Sequence, residues 1–145
     1  MAVLLVRHAE AGDRDTGDGP DDLRPLTAEG EIQARGLVAA LAAFAVTRVL
    51  SSPYVRCSQT VAPLGAARGL TVAPCEDLAE GEGPAGLALA RSLLGGPGYT
   101  VLCTHGDVVE EVLDGLGGRR EDYTRKGATW ALDEAEARHL PPPPS

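Results

Sequence analysis

The stretch AVLLVRHAEAG, residues 2–12, decides how this chain reads. Ala2–Val6 is an unbroken apolar run that ends abruptly at Arg7 and His8, and RHAEAGDRDTGDGPDDLR, residues 7–24, is rich in Gly, Asp and Pro. A short continuous apolar run bounded by turn residues reads as a buried strand, and here it delivers Arg7 and His8 to the strand's carboxyl end. The theme returns in YTVLCTHGD, residues 99–107, where a second apolar run leads to His105. Between them RVLSS, residues 48–52, is a third such run, stopped by Pro53.

The segments between these runs read as helices. Thr27 is placed as an N-cap, and Ile32, Leu37, Val38 and Leu41 recur at helical spacing to about Phe44. A second helical pattern runs from Tyr54 to about Arg68, where Pro63 is expected to kink or divide it. Leu70–Ala73 reads as a short edge strand, Pro84 as the start of a helix over Ala85–Leu94, and residues 107–116 as a helix stopped by Gly117 and Gly118. ATWAL, residues 128–132, is a last strand, and PPPPS, residues 141–145, reads as a disordered proline-rich tail. This alternation predicts an α/β fold, a three-layer αβα sandwich with a mostly parallel central sheet, in a single domain over residues 1–140.

Composition narrows the function classes. At 145 residues with 43% hydrophobic content, the chain carries one domain's worth of core without needing disulfide staples. Its 13 Lys+Arg against 21 Asp+Glu give a formal net charge of -8, so the long-range field repels nucleic-acid polymers and anionic membranes. Aromatic residues are 3% of the chain, too few for a base-stacking platform. Cys57, Cys75 and Cys103 are odd in number and lack C-x-x-C spacing, which points to reduced thiols. No apolar run approaches the roughly 20 residues that span a bilayer, and the expected location is cytoplasmic. Nothing in the residues indicates an oligomeric state.

Three polar clusters fall at expected strand ends: Arg7-His8, Ser51 to Arg56, and Thr104-His105-Gly106. A single His at a strand end is ordinarily structural, and a single Arg beside a Pro turn is ordinarily a surface ion pair. Two of each at the ends of parallel strands in an acidic protein form a local positive spot suited to an anion. A phosphoryl group is the natural candidate, because guanidinium groups match its oxygens bidentately and neutral imidazole is a good nucleophile near neutral pH. Other phosphoryl chemistries do not fit. A cysteine phosphatase needs Arg six positions after its Cys, where this chain has Pro63, Gly81 and Val109. There is no G-x-x-x-x-G-K-[ST] loop. The histidines His8, His105 and His139 offer no metal-binding pair, so neither a metal nor another cofactor is expected.

LLVRHAEAG, PLTAEGEIQA, LSSPYVRCSQT and VLCTHGD, in this order, resemble the four signature segments of the histidine phosphatase superfamily, the phosphoglycerate-mutase-like or RHG phosphatases. The resemblance covers most of residues 2–115. Short length and the phrase LRPLT are most similar to the small bacterial phosphohistidine phosphatases of the SixA type, and RKGATWAL is similar to phosphatase-like domains fused to some actinobacterial Nudix hydrolases. The resemblance implies that His8 is a nucleophile that becomes phosphorylated, that Arg7, Arg56 and His105 clamp the phosphoryl oxygens, and that Glu80 is the proton donor to the leaving group. Arg24 is the implied further phosphate contact, and, independently of the resemblance, the helix start at Gly106 offers backbone N–H groups and a positive dipole end as a substrate contact. Two departures stand out. Ala9 occupies the glycine position of the RHG triplet, and Glu80 is a carboxylate that the SixA type generally lacks. An alkoxide leaving group needs a proton more than imidazole does, so Glu80 favours phosphomonoesters or phosphoanhydrides of small molecules. The competing expectations are a phosphohistidine phosphatase acting on a phosphorelay protein and a non-catalytic phosphate-binding module. A phosphoglycerate mutase fits less well, since it calls for a more enclosed site.

Overall fold

The computed structural model describes residues 2–13, 19–116, 125–134 and 136–145. Six strands form one sheet in the order β3-β2-β4-β1-β5-β6, where β1 is Ala2–Arg7, β2 Val46–Ser51, β3 Val72–Pro74, β4 Tyr99–Thr104, β5 Thr129–Leu132 and β6 Ala137–Leu140. β1 to β4 are mutually parallel where they pair, and β5 and β6 add an antiparallel edge. The helices are α1 (Ala28–Ala40), α2 (Val55–Arg68), α3 (Gly83–Leu93) and α4 (Gly106–Leu116).

β1 lies between β4 and β5, and Ala2–Val6 are buried, which is why its sequence is apolar at every position and not only at alternate ones. Successive side chains point to opposite faces. Val3 and Leu5 pack with Leu102, Ala90, Val109 and Leu113 in one layer, while Leu4 and Val6 pack with Leu37, Val61, Leu64 and Val101 in the other. Helices α1 and α2 pair on one face and α3 and α4 on the other, the expected three-layer sandwich with a mostly parallel sheet.

Several local features differ from the sequence expectation, each for a physical reason. Thr27 caps α1 as expected, accepting from the Gly30 N–H at 3.2 Å, but the helix ends at Ala40. There the carbonyl of the buried Leu41 is taken by Arg68 Nη2 at 2.9 Å. The buried stripe of α1 is Gly30, Ala34 and Leu37, and Ile32 is exposed. Small residues face inward because α1 lies directly on the segment after β1: a Cβ on Gly30 would collide with the Glu10 carbonyl. Pro63 does not divide α2, whose flanking Val61 and Leu64 are both buried in one core and hold the two halves in line. β6 was not anticipated, since ARHL has no apolar run, and it pairs with β5 as a half-exposed edge. Residues 141–145, expected as a disordered tail, lie against α1, with Pro143 buried beside Gly36. Proline loses little conformational freedom on docking, and a glycine there leaves it room. The helix stop expected at Gly117 and Gly118 lies outside the described residues. Among the described residues no helix is long and apolar enough to cross a membrane.

Candidate active site

The sheet register assembles the site. Arg7 of β1 pairs with Thr104 of β4, and the His8 N–H continues the ladder to the Thr104 carbonyl at 3.0 Å. Ser51 of β2 pairs with Cys103, and the Ser52 N–H reaches the Cys103 carbonyl at 2.9 Å. Three parallel strands therefore end side by side, bringing His8, Ser52 and His105 together at their carboxyl edge. The His8 and His105 rings stand edge to face with centroids 5.6 Å apart. α2 begins just beyond β2 and brings Arg56 in at its second residue. After β3, the Thr104 hydroxyl donates to the Leu78 carbonyl, and Gly81 N–H donates to Asp107 Oδ2 at 2.8 Å. These two ties hold Glu80 over the end of β4.

The resulting cavity, about 320 Å³, is lined by Arg7, His8, Arg24, Arg56, Glu80 and His105, with Gly106, Asp107, Gly12 and Lys126 at its walls. Every site residue expected from the sequence meets there. His8 Nδ1 is 2.8 Å from the Ala9 carbonyl, which can only accept, so Nδ1 carries the proton and Nε2 keeps its lone pair. Alanine at the RHG glycine position thus still supplies this carbonyl. The Ala9 N–H donates to Thr60 Oγ1 at 2.9 Å, and the Thr60 hydroxyl donates to the Arg56 carbonyl at 2.7 Å, so α2 fixes the peptide that orients the His8 ring.

Charge and burial set the protonation state of His8. Burial lowers its pKa most, the charges of Arg56, His105 and Arg7 add to this, and only the Ala9 hydrogen bond opposes, leaving it at about 3. The ring is therefore neutral across the working pH range. Burial also lowers the pKa of Arg7, an effect opposed by Glu110, Glu10 and Asp107. Arg7 Nε and Arg56 Nε are buried with no hydrogen-bond partner among the described residues, as suits donors directed at an anion. Gly106 opens α4 with no side chain because the Arg7 guanidinium lies against it: a Cβ would be 3.0 Å from Arg7 Cζ.

Asp21, which the sequence did not single out, joins two of the cations. It accepts from Arg24 Nε at 3.1 Å and from Arg56 Nη2 at 3.2 Å, and its carbonyl accepts from Arg56 Nη1 at 2.9 Å. Burial raises its pKa, but these hydrogen bonds and charges outweigh that and hold it below the usual carboxylate range. Arg24 also donates to the Ala11 and Gly12 carbonyls, so it braces the loop after β1 while lining the cavity. Thr60, Asp21 and Lys126 were also missed. Thr60 ends the LSSPYVRCSQT segment and Lys126 lies in RKGATWAL, but only their positions in space show what they touch.

The family model of the histidine phosphatase superfamily (branch 1) matches residues 3–84, more than half of the chain. This chain belongs to that superfamily. A histidine phosphatase fold is also what the solved structures show. The protein histidine phosphatase SixA complexed with tungstate superposes with a TM-score of 0.78 at 23% identity, over 99% of this chain and 97% of that one. The mycobacterial glucosyl-3-phosphoglycerate phosphatase with inorganic phosphate gives 0.68 at 15% identity, covering 95% of this chain and 93% of that one. In sequence, the chain is 37% identical to an 8-oxo-(d)GTP phosphatase of Mycolicibacterium smegmatis, with 97% of this chain aligned. It spans about half, 48%, of that relative's length.

Proposed function

We propose that this histidine phosphatase hydrolyses phosphomonoesters or phosphoanhydrides of small molecules through a phosphohistidine on His8, without a metal ion. The observation that carries the reading is the His8 ring, neutral and held by the Ala9 carbonyl with Nε2 free, in a cavity lined by Arg7, Arg24 and Arg56. Nε2 attacks phosphorus in line as the bond to the leaving oxygen breaks. Arg7, Arg56 and His105 stabilise the charge on the equatorial oxygens, a role that does not require a metal. Glu80 gives its proton to the leaving oxygen. A water then attacks phospho-His8, Glu80 takes its proton, and inorganic phosphate departs.

Glu80 supports esters and anhydrides over phosphohistidine, and the likeness to an 8-oxo-(d)GTP phosphatase supports a nucleotide or similar small phosphate. A phosphohistidine protein is the competing substrate class, and a silent phosphate-binding module the competing role. The test is rapid quenching with a radiolabelled phosphoryl donor. Acid-labile label should appear on the wild type and be absent from His8→Ala, together with turnover of an aryl phosphate. Full activity in His8→Ala, or no label on an active wild type, overturns the mechanism. Parallel turnover of sugar phosphates, nucleotides and a phosphorylated histidine-containing protein assigns the substrate class.

A further inference from the structure

Lys126 lines the active-site cavity, yet hydrolysis of a phosphomonoester gives it no task. It sits in the turn before β5, and that turn is fastened to the backbone of the site. The Gly127 N–H donates to the His8 carbonyl at 3.1 Å and to the Arg7 carbonyl at 3.2 Å, and the Arg7 N–H donates to the Ala128 carbonyl at 3.0 Å. Gly127 takes the bend with a φ of 85°, where a side chain would be strained. The Lys126 side chain is held as well. Glu10 Oε1 accepts from Lys126 Nζ at 3.2 Å and from the Gly12 N–H at 2.9 Å, which keeps the ammonium group at the cavity wall. An ammonium carries three hydrogens, and Glu10 takes one of them, so two are left for a ligand.

The other described cations of the cavity already have work. Arg7 and Arg56 keep buried Nε–H groups for the transferred phosphoryl group. Arg24 gives Nε to Asp21 and Nη1 to the carbonyls of Ala11 and Gly12. Lys126 also stands at a boundary, because the same side chain lines an adjoining depression of about 400 Å³ together with Arg125, Gln33 and Glu10. A phosphomonoester carries one phosphate, which Arg7, Arg56 and His105 suffice to hold. A further cation fixed at the wall of the same cavity suits a second phosphate, and lysine meets phosphate as a point charge that needs no bidentate alignment.

We propose that Lys126 is a specificity-determining residue whose ammonium group binds the second phosphate of a terminal diphosphate, so that the site selects phosphoanhydrides over monoesters. The proposal rests on the phosphatase reading above and narrows its substrate class. His8 Nε2 bonds to the terminal phosphorus while the bond from that phosphorus to the bridging oxygen breaks. The electron pair stays on the bridging oxygen, which departs as part of the second phosphate, and Lys126 balances the charge gained there. Phosphate is a much weaker base than an alkoxide, so this leaving group leans more on Lys126 and less on the proton of Glu80. Water then hydrolyses phospho-His8 as it does after an ester.

Titration calorimetry with orthophosphate and with methylenediphosphonate, whose P–C–P linkage cannot be cleaved, tests this. The wild type should bind the diphosphonate at least about tenfold more tightly than orthophosphate. Lys126→Met should reduce that advantage to about twofold or less, and Lys126→Arg should keep most of it. No advantage in the wild type, an advantage that survives Lys126→Met, or an equal weakening of both anions overturns the proposal. A loss in Lys126→Arg as complete as in Lys126→Met also overturns it, since the effect would then belong to the turn and not to the charge. Lys126 is half-buried and its turn is held by backbone hydrogen bonds, so both variants should fold. In turnover, kcat/KM for inorganic pyrophosphate relative to an aryl phosphate should fall at least about tenfold in Lys126→Met, and an unchanged ratio counts against the proposal in the same way. Binding is read without turnover, so its failure is distinct from a failure of His8 to take up the phosphoryl group.

Discussion

The depressed pKa of His8 has a cost in stability that can be measured. In the folded protein the ring titrates at about 3, against 6.5 when unperturbed. Above pH 6.5 both folded and unfolded chains hold it neutral, and it does not affect the balance. As pH falls through 6.5 the unfolded chain takes up a proton that the folded chain refuses until near pH 3, so stability is lost progressively across that window. One pKa unit is worth about 1.36 kcal/mol, which makes the penalty about 2 kcal/mol at pH 5 and close to zero at pH 7.5. His8→Asn removes the titrating group. The stability of wild type minus that of His8→Asn should therefore fall by about 2 kcal/mol between pH 7.5 and pH 5. Urea unfolding followed by fluorescence of the buried Trp130 reads both proteins at both pH values. Phosphate buffer must be avoided, because an anion that binds the folded site would stabilise it by mass action. A difference that stays constant between the two pH values would mean that folded His8 titrates normally. The account of a His8 ring kept neutral by burial and by its cationic neighbours would then be refuted.

Three further outcomes follow from the site. Glu80→Gln should cost about 100-fold in kcat for alkyl phosphates and much less for activated aryl phosphates; equal losses on both would remove Glu80 from the acid role. Thr60→Val keeps the side-chain volume but leaves the buried Ala9 N–H without its 2.9 Å partner, so urea unfolding should show a loss of about 1–3 kcal/mol, accompanied by a lower kcat. Gly106→Ala places a Cβ against the Arg7 guanidinium, and steady-state kinetics should show kcat/KM down about tenfold with the unfolding midpoint little changed.

Much of the site was legible because its parts sit at abrupt changes of local pattern. The apolar runs ending at Arg7-His8 and at Thr104-His105 announce strand ends, and parallel strands put their carboxyl ends on one edge. What was not legible depends on packing or on pairing distant in sequence. Ile32 satisfied the helical period of α1 yet is exposed, since Gly30 and Ala34 must face inward where the helix rests on the Glu10 backbone. β6 pairs with β5 just before it, but ARHL has no apolar run to mark it as a strand, and Gly36, which receives Pro143, lies far from it in the chain. Asp21 reads as one of several aspartates in an acidic loop, and only its hydrogen bonds to Arg24 and Arg56 distinguish it.

By itself the sequence determined most of the elements, the polar clusters at the ends of the parallel strands, and the kinship carried by four ordered segments. Those properties follow from hydrophobic periodicity and turn chemistry, which act over a few neighbouring residues. The tertiary structure decided which atoms of those residues are available to react. His8 Nε2 is free because Thr60, fifty-two residues away in the chain, holds the peptide whose carbonyl engages Nδ1. The His105 ring is fixed because Ser52, brought alongside by the pairing of β2 with β4, places its Oγ 2.9 Å from Nε2. A hydrogen bond depends on distance and direction to within a few tenths of an ångström, and only the register of the assembled sheet sets both.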